Sequence, residues 1–259
     1  MDNAHLLETF DREVRRDADW TRMRREVLPN LVRHVPEGAV VGGGYITWSQ
    51  LAADNADAEI EAQVAYFSTL KSDFEWKYYS HDQPADLAQR LLAYGFKAGK
   101  PEALMVAEID TLPDDYWRRD ASSVKPVKTA EDIDAIIEME NEVWGKDLSD
   151  IGIGMKYDLE HHPDLLSIFG VWQNGCLVSA AWTQYLKSTS FASFWGGTTL
   201  NDYRNRGYYT SLLAARAREA KSRGYKFLTV DASRDSRPIL EKNGFACLGF
   251  STPYEWSFQ

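Results

Sequence analysis

Phe191-Ala192-Ser193-Phe194-Trp195, Gly196-Gly197-Thr198-Thr199 and Tyr203-Arg204-Asn205-Arg206-Gly207-Tyr208-Tyr209 form the stretch on which the fold turns. An aromatic, apolar strand runs into a glycine step and from there into the start of a helix that carries two arginines and Gly207. The first N–H groups of a helix have no intrahelical acceptor and its dipole favours negative charge there, so Arg204-x-x-Gly207 marks a candidate anion site. Two fixed residues in four recur widely, and the flanking elements carry the weight. Tyr209, Leu212, Leu213, Ala217 and Ala220 make an apolar stripe at helical spacing. Arg216, Arg218, Lys221 and Arg223 load the C-terminal half with the sign the dipole favours, and Gly224 closes the helix. A strand at residues 226–231, a short helix and Asn243-Gly244-Phe245 follow.

Around this stretch lie 259 residues, enough for two modest domains, with 44% hydrophobic and 13% aromatic content to fill their cores. Lys and Arg number 29 against 39 Asp and Glu, a formal charge of −10. Such a surface repels phosphate backbones and anionic lipid, which argues against nucleic acid and membrane partners and mildly favours a cationic or amine substrate. Cys176 and Cys247 stand alone, outside any metal-binding or disulfide pattern, and read as reduced thiols. No apolar run has the form of a signal peptide or membrane span, which predicts a cytoplasmic protein.

In chain order, residues 5–28 have sparse apolar positions at helical spacing (Leu6, Leu7, Phe10, Val14) and predict one amphipathic helix ending before Pro29. Residues 31–35, Val40-Val41 and 45–48 are strand-like around Gly42-Gly43-Gly44, a turn or bulge rather than a phosphate loop because no Lys-Ser/Thr follows. A helix is expected over 57–71, a strand over 74–79, a short helix from Pro84 to Gly95 and a strand within 96–109. Residues 110–123 have the composition of an exposed connector, which sets domains at 1–120 and 121–259. Beyond it the pattern predicts a strand at 124–127, a helix at 130–144 with Ile133, Ile136 and Ile137 on one face, and a loop or short-helix region at 145–163. Residues 165–185 predict a hairpin turning at Gln173-Asn174-Gly175.

The two halves share an order of elements. Helices end near Lys71 and Lys221, strands begin near Phe74 and Tyr225, and short helices stop at Gly95-Phe96 and Gly244-Phe245, at offsets of 150, 151 and 149 residues. Two copies of one architecture account for this. Before its helix the first half carries Asp54, Asp57 and Glu59, where the second has Arg204, Arg206 and Gly207, so only the second half is expected to bind a pyrophosphate.

The second half, roughly residues 124–258, resembles the GNAT acyltransferase superfamily, whose Arg/Gln-x-x-Gly-x-Gly/Ala loop reads here Arg204-Asn205-Arg206-Gly207-Tyr208-Tyr209. Ile239-Leu240-Glu241-Lys242-Asn243-Gly244-Phe245 is similar to the family's closing helix and Gly-Phe, and the first half looks like a degenerate copy. The resemblance implies an α+β protein of two GNAT-like mixed-sheet domains in tandem, the N-terminal one reduced. It implies acetyl-CoA as cosubstrate, no metal, and pyrophosphate binding by Arg204, Asn205, Arg206, Gly207, Tyr208 and Tyr209. The strand before the loop splays from its neighbour in this family, which puts Gly197, Thr198 and Thr199 beside the pantetheine arm. Tyr209 occupies a position that is usually Gly or Ala, and Leu240 one that often holds the Tyr that protonates the leaving thiolate.

The implied activity is N-acyl transfer to a primary amine of a small molecule or peptide by direct attack, in a monomer or homodimer. The alternative is a GNAT-like acyl-CoA sensor without catalysis. Asp231, Glu142 and Tyr254 are the expected proton-transfer residues, with Glu140 and Glu255 as further carboxylates and Ser233, Ser236 and Tyr208 as further acids. His161-His162 before Pro163 reads as a surface turn, and most of Trp144, Trp172, Trp182 and Trp195 as core.

Overall fold

The computed structural model describes residues 2–37 and 42–259. The elements are α1 (Asn3–Phe10), continued by a π-helix (Asp11–Arg16), β1 (Met23–Val27), β2 (Leu31–Pro36), β3 (Gly44–Ser49), α2 (Ala56–Leu70), β4 (Phe74–Tyr79), α3 (Leu87–Ala93), β5 (Lys97–Ala98) and β6 (Glu102–Glu108). They continue with α4 (Asp114–Arg118), β7 (Val124–Pro126), α5 (Ala130–Trp144), α6 (Ser149–His161), β8 (Leu166–Gln173), β9 (Cys176–Tyr185), β10 (Phe191–Thr199), α7 (Tyr208–Ser222), β11 (Phe227–Ala232), α8 (Arg237–Lys242) and β12 (Ala246–Trp256). No helix among the described residues is long and apolar enough to cross a membrane.

The chain forms two compact units. Unit 1 comprises Met1–Met105, Asp231–Pro238 and Cys247–Gln259, and unit 2 comprises Val106–Val230 and Ile239–Ala246. In unit 1 the strands run β1-β2-β3-β4-β12, with β3 and β4 parallel and the other pairs antiparallel. Leu31, Ile46, Phe74, Trp76 and Tyr254 on the strands pack against Ile60 and Phe67 of α2 and Leu87 and Leu91 of α3. Gly43 and Gly44 serve close approach: a Cβ on Gly43 would lie 2.4 Å from the Asp73 carbonyl oxygen, and one on Gly44 2.2 Å from the Phe67 ring.

In unit 2 the order is β7-β8-β9-β10-β11, antiparallel except for β10 and β11. Ile133, Ile136 and Met139 of α5 and Met155 of α6 bury against Ile168, Ala180 and Trp182, while Leu212 of α7 packs with Val171, Val178 and Ala181. Both units thus contain an antiparallel strand pair, a helix and a strand parallel to the second of the pair: β2, β3, α2, β4 in one and β9, β10, α7, β11 in the other.

Three stretches differ from expectation. The helix predicted over 5–28 ends at Arg16, and Met23–Val27 forms β1, because Glu26 pairs across the ladder with Arg33 at 2.6 Å instead of pairing along a helix. Residues 145–163 contain the 13-residue α6; its Gly152 is a packing site, where a Cβ would come within 2.8 Å of Ile137 Cγ1. Within the predicted exposed connector, α4 buries Tyr116, whose hydroxyl donates to the Leu213 carbonyl at 2.9 Å. The strand expected at Val40-Val41 lies outside the described residues.

Candidate active site

Asn205 and Gly207 adopt left-handed backbone, with φ of 61° and 84°, and turn the chain into α7. The helix starts with no side chain capping it and no acidic residue in its first turn. Such a start, at the positive end of the dipole, favours an external anion. Arg204, Asn205, Arg206 and Gly207 are exposed. Arg204 Nε donates to the Thr199 carbonyl at 3.3 Å, and Arg206 donates to the Asp202 carbonyl at 2.9 Å with its guanidinium 4.9 Å from the Tyr203 ring centre. Neither arginine is neutralised by a carboxylate in these contacts.

The strand leading into this loop is bulged. Trp195 opposes Trp182 and Thr198 opposes Ala180, so three steps on β10 match two on β9. Gly196 takes φ of 57°, and a Cβ there would fall 1.7 Å from the Trp182 ring; one on Gly197 would fall 2.6 Å from Tyr209 Cε2. The Tyr209 ring thus fills the space that a side chain at Gly197 would need, which is how the helix accepts Tyr at this position. The parallel ladder of β10 with β11 covers only Phe191, Ala192 and Ser193, so β10 runs on to Thr199 without that neighbour.

Arg216 of α7 lies beneath the bulge, 1% exposed, donating to the carbonyls of Trp182 and Trp195, each at 3.2 Å, with its guanidinium 4.2 Å from the Phe194 ring centre. Burial pulls its pKa down to about 10.

On the other face of β10, Thr198 is 3% exposed and its hydroxyl donates to Glu140 Oε2 at 2.9 Å. The Trp144 indole N–H donates to the same oxygen at 2.7 Å and to Thr198 Oγ1 at 3.2 Å. Glu140 is 3% exposed, and its Oε1 has no hydrogen-bond partner. Burial pushes its pKa up to about 7, against the opposing pull of the Thr198 and Trp144 hydrogen bonds and of Lys146. A carboxyl held near neutrality inside a fold can accept and return a proton at working pH.

The expected cofactor residues therefore gather in unit 2, where β10 ends and α7 begins. Thr198 is the one whose side chain turns away, toward α5. Of the expected proton-transfer residues, Glu142 is exposed on α5. In unit 1, Asp231 accepts from Ser251 at 2.9 Å and pairs with Lys77 at 3.0 Å, and Tyr254 packs in the core beside Tyr78. Ser233 and Ser236 bond each other at 3.1 Å, and Leu240 is fully buried. Glu140, a secondary candidate from sequence, outranks Glu142 for a reason visible in the chain: it follows Ile133, Ile136 and Ile137 by seven, four and three residues and so shares their buried face.

No family model matches the sequence, and no curated protein does. Among solved structures the chain is similar to a GCN5-related N-acetyltransferase from Kribbella flavida, with TM-score 0.65 and 16% identity over 98% of this chain and 93% of that one. The chain has the GNAT fold. It is also similar to a conserved protein of unknown function from Staphylococcus epidermidis, with TM-score 0.66 and 10% identity over 97% of this chain and 98% of that one. A tandem GNAT protein from the clavulanic acid biosynthesis pathway aligns at TM-score 0.54 and 12% identity over 87% of this chain and 78% of that one. At these identities the shared property is the GNAT fold itself.

Proposed function

We propose that the protein is an N-acyltransferase that moves an acetyl or short acyl group from acetyl-CoA to a primary amine of a small molecule or peptide. One observation carries the proposal: the uncapped, arginine-flanked start of α7 directly follows a strand that bulges and leaves its parallel neighbour. A pyrophosphate fits the uncapped start of α7 at Tyr208 and Tyr209, with Arg204, Asn205, Arg206 and Gly207 around it. The backbone of Gly197, Thr198 and Thr199, freed from one ladder, suits an extended pantetheine arm. Acetyl-CoA, when bound, supplies an activated thioester carbonyl for an amine to attack. The protein's part is to fix that carbonyl, offer backbone N–H groups to the oxygen and manage the amine's proton. For that last task Asp231 is engaged by Lys77, Tyr254 is packed in a core and Glu142 is solvated, so each is less suited than Glu140.

We further read residues 1–120 as a reduced copy of the same architecture and 121–259 as the complete one, with Asp231–Pro238 and Cys247–Gln259 of the second range lying in unit 1. The shared pair-helix-parallel-strand order supports this, and Asp57 and Glu59 in the first turn of α2 explain why only α7 would take an anion.

Calorimetry with acetyl-CoA tests the central claim. The double variant Arg204→Glu/Gly207→Glu is expected to bind at least about tenfold more weakly than wild type, since it places two carboxylates where a diphosphate would sit. Equal affinity in both proteins, or none in either, would overturn it. Thioester consumption across an amine panel separates an enzyme from an acyl-CoA sensor.

A further inference from the structure

Resting on the acyltransferase reading, we propose that Glu140 takes the proton of the acceptor's ammonium through Oε1, and that the Trp144 indole is the cover the acceptor displaces.

A carboxylate that merely clamped α5 to β10 would need one acceptor oxygen, and Oε2 already receives both donors, from Thr198 and Trp144. The second oxygen, buried and unpartnered, is a standing cost in an apolar surrounding. An arriving N–H donor removes that cost. The cover is lightly held: Trp144 ends α5, Gly145 follows in left-handed backbone at φ 66°, and the indole is 53% exposed while its N–H is bonded inward. Trp195 is 43% exposed and pairs with Trp182, whose ring belongs to the α5–α6 core. It therefore stands on the same face of β10 as Thr198. Two half-exposed indoles on the face that holds a buried carboxylate are a recognition surface for an organic ammonium. The acceptor class is accordingly a primary amine that is cationic at neutral pH.

The proton step is closed. One N–H bond of the ammonium breaks, its electron pair stays on nitrogen as the lone pair needed for attack, and the proton bonds Oε1. As the amine nitrogen bonds the thioester carbon, the C–S bond breaks, the thiolate leaves as the thiol with the second proton shed by the nitrogen, and the carboxyl returns its own proton to water. Of the charged groups on α5 and the segment after it, Lys146 acts on Glu140 and favours the carboxylate. Asp158 is buried on the packed helix α6, and the facing residues of β9 and β10 (Ala180, Trp182 and Thr198) carry no charge.

Infrared difference spectroscopy on the full chain tests this directly. Between about pH 5 and about pH 9 wild type should show a protonated-carboxyl band that titrates near 7 and loses its Glu140 share in Glu140→Gln, Glu75 supplying what is left. Gln retains an oxygen for Thr198 and Trp144, so the variant keeps the clamp and loses only the proton. Methylammonium, the smallest primary ammonium, should lower the midpoint relative to sodium at equal ionic strength. Trp144→Phe, which deletes a hydrogen bond to the carboxylate, should raise it. A band undiminished in Glu140→Gln, or a wild-type-minus-variant difference whose midpoint neither condition moves, overturns the proposal. With an acceptor from the amine panel, Glu140→Gln should lower kcat by about a hundredfold or more and abolish the acidic limb of the pH profile, with acetyl-CoA affinity unchanged. An unaltered limb sinks the role of Glu140 alone; absence of acetyl-CoA binding in wild type sinks the acyltransferase reading, while the infrared titration still decides on Glu140.

Discussion

Glu140 holds its proton in the folded protein across a pH range in which the unfolded chain has released it, because burial raises its pKa from 4.5 to about 7. The sign follows from linkage: the contribution is fully present below the unfolded value and is lost as pH rises through the folded one. Unfolding free energy should fall by ~3 kcal/mol between those limits, at about 1.4 kcal/mol per pKa unit. Glu75 in unit 1, also pushed up to about 7 by burial, adds to the same slope. Urea unfolding of wild type and Glu140→Gln at a series of pH values measures this; parallel curves for the two proteins would refute it. The position of Glu140 was legible in the isoleucine stripe of its helix. Its protonation was not, since that comes from burial against β10, where Thr198 lies 58 residues away in sequence.

Among the elements, α1 and its π-helical extension are latched to the rest of unit 1 through Arg15, beside the Phe10–Tyr79 ring contact and the Asp11–His81 pair at 2.8 Å. Arg15, 3% exposed, donates to both Asp82 oxygens at 2.8 and 2.9 Å, to Asp11 at 2.8 Å and to the Thr47 carbonyl at 3.0 Å, with its guanidinium 4.0 Å from the Tyr79 ring centre. Arg15→Met would leave Asp82 buried without its cation, a loss of roughly 3–5 kcal/mol. Hydrogen exchange over residues 3–16 should accelerate in the variant, and unchanged protection would show that the latch lies elsewhere. Sequence could not reveal this, because Arg15 looks like one more charge in a charged segment and its partner comes 67 residues later. The same blindness hid β1, whose charges make sense only against β2. Elements with strong local patterns, such as α2, β4, α5, the β8–β9 hairpin and α7, were readable because their periodicity alone selects them.

At the scale of the whole molecule, the recurrence of helix, strand and Gly-Phe at offsets of 149 to 151 residues made the repeated order visible in the sequence. What periodicity could not show is the path of the closing strand. Residues 247–259 belong to unit 1, where β12 runs antiparallel to β4 from Ser251 opposite Tyr79 to Trp256 opposite Phe74. Removing residues 247–259 would uncover the edge of β4 and withdraw Tyr254 and Trp256 from the core around Trp76. The shortened chain is expected to aggregate or to lose the near-ultraviolet circular dichroism of that core; a soluble product with an intact signal would show the strand to be dispensable. This path also orders events during synthesis. Domains commonly fold in sequence as they leave the ribosome. Here residues 23–79 must wait, with the β4 edge unsatisfied, until unit 2 has been translated and β12 has followed it out, so a strand made early is completed by one made about 170 residues later.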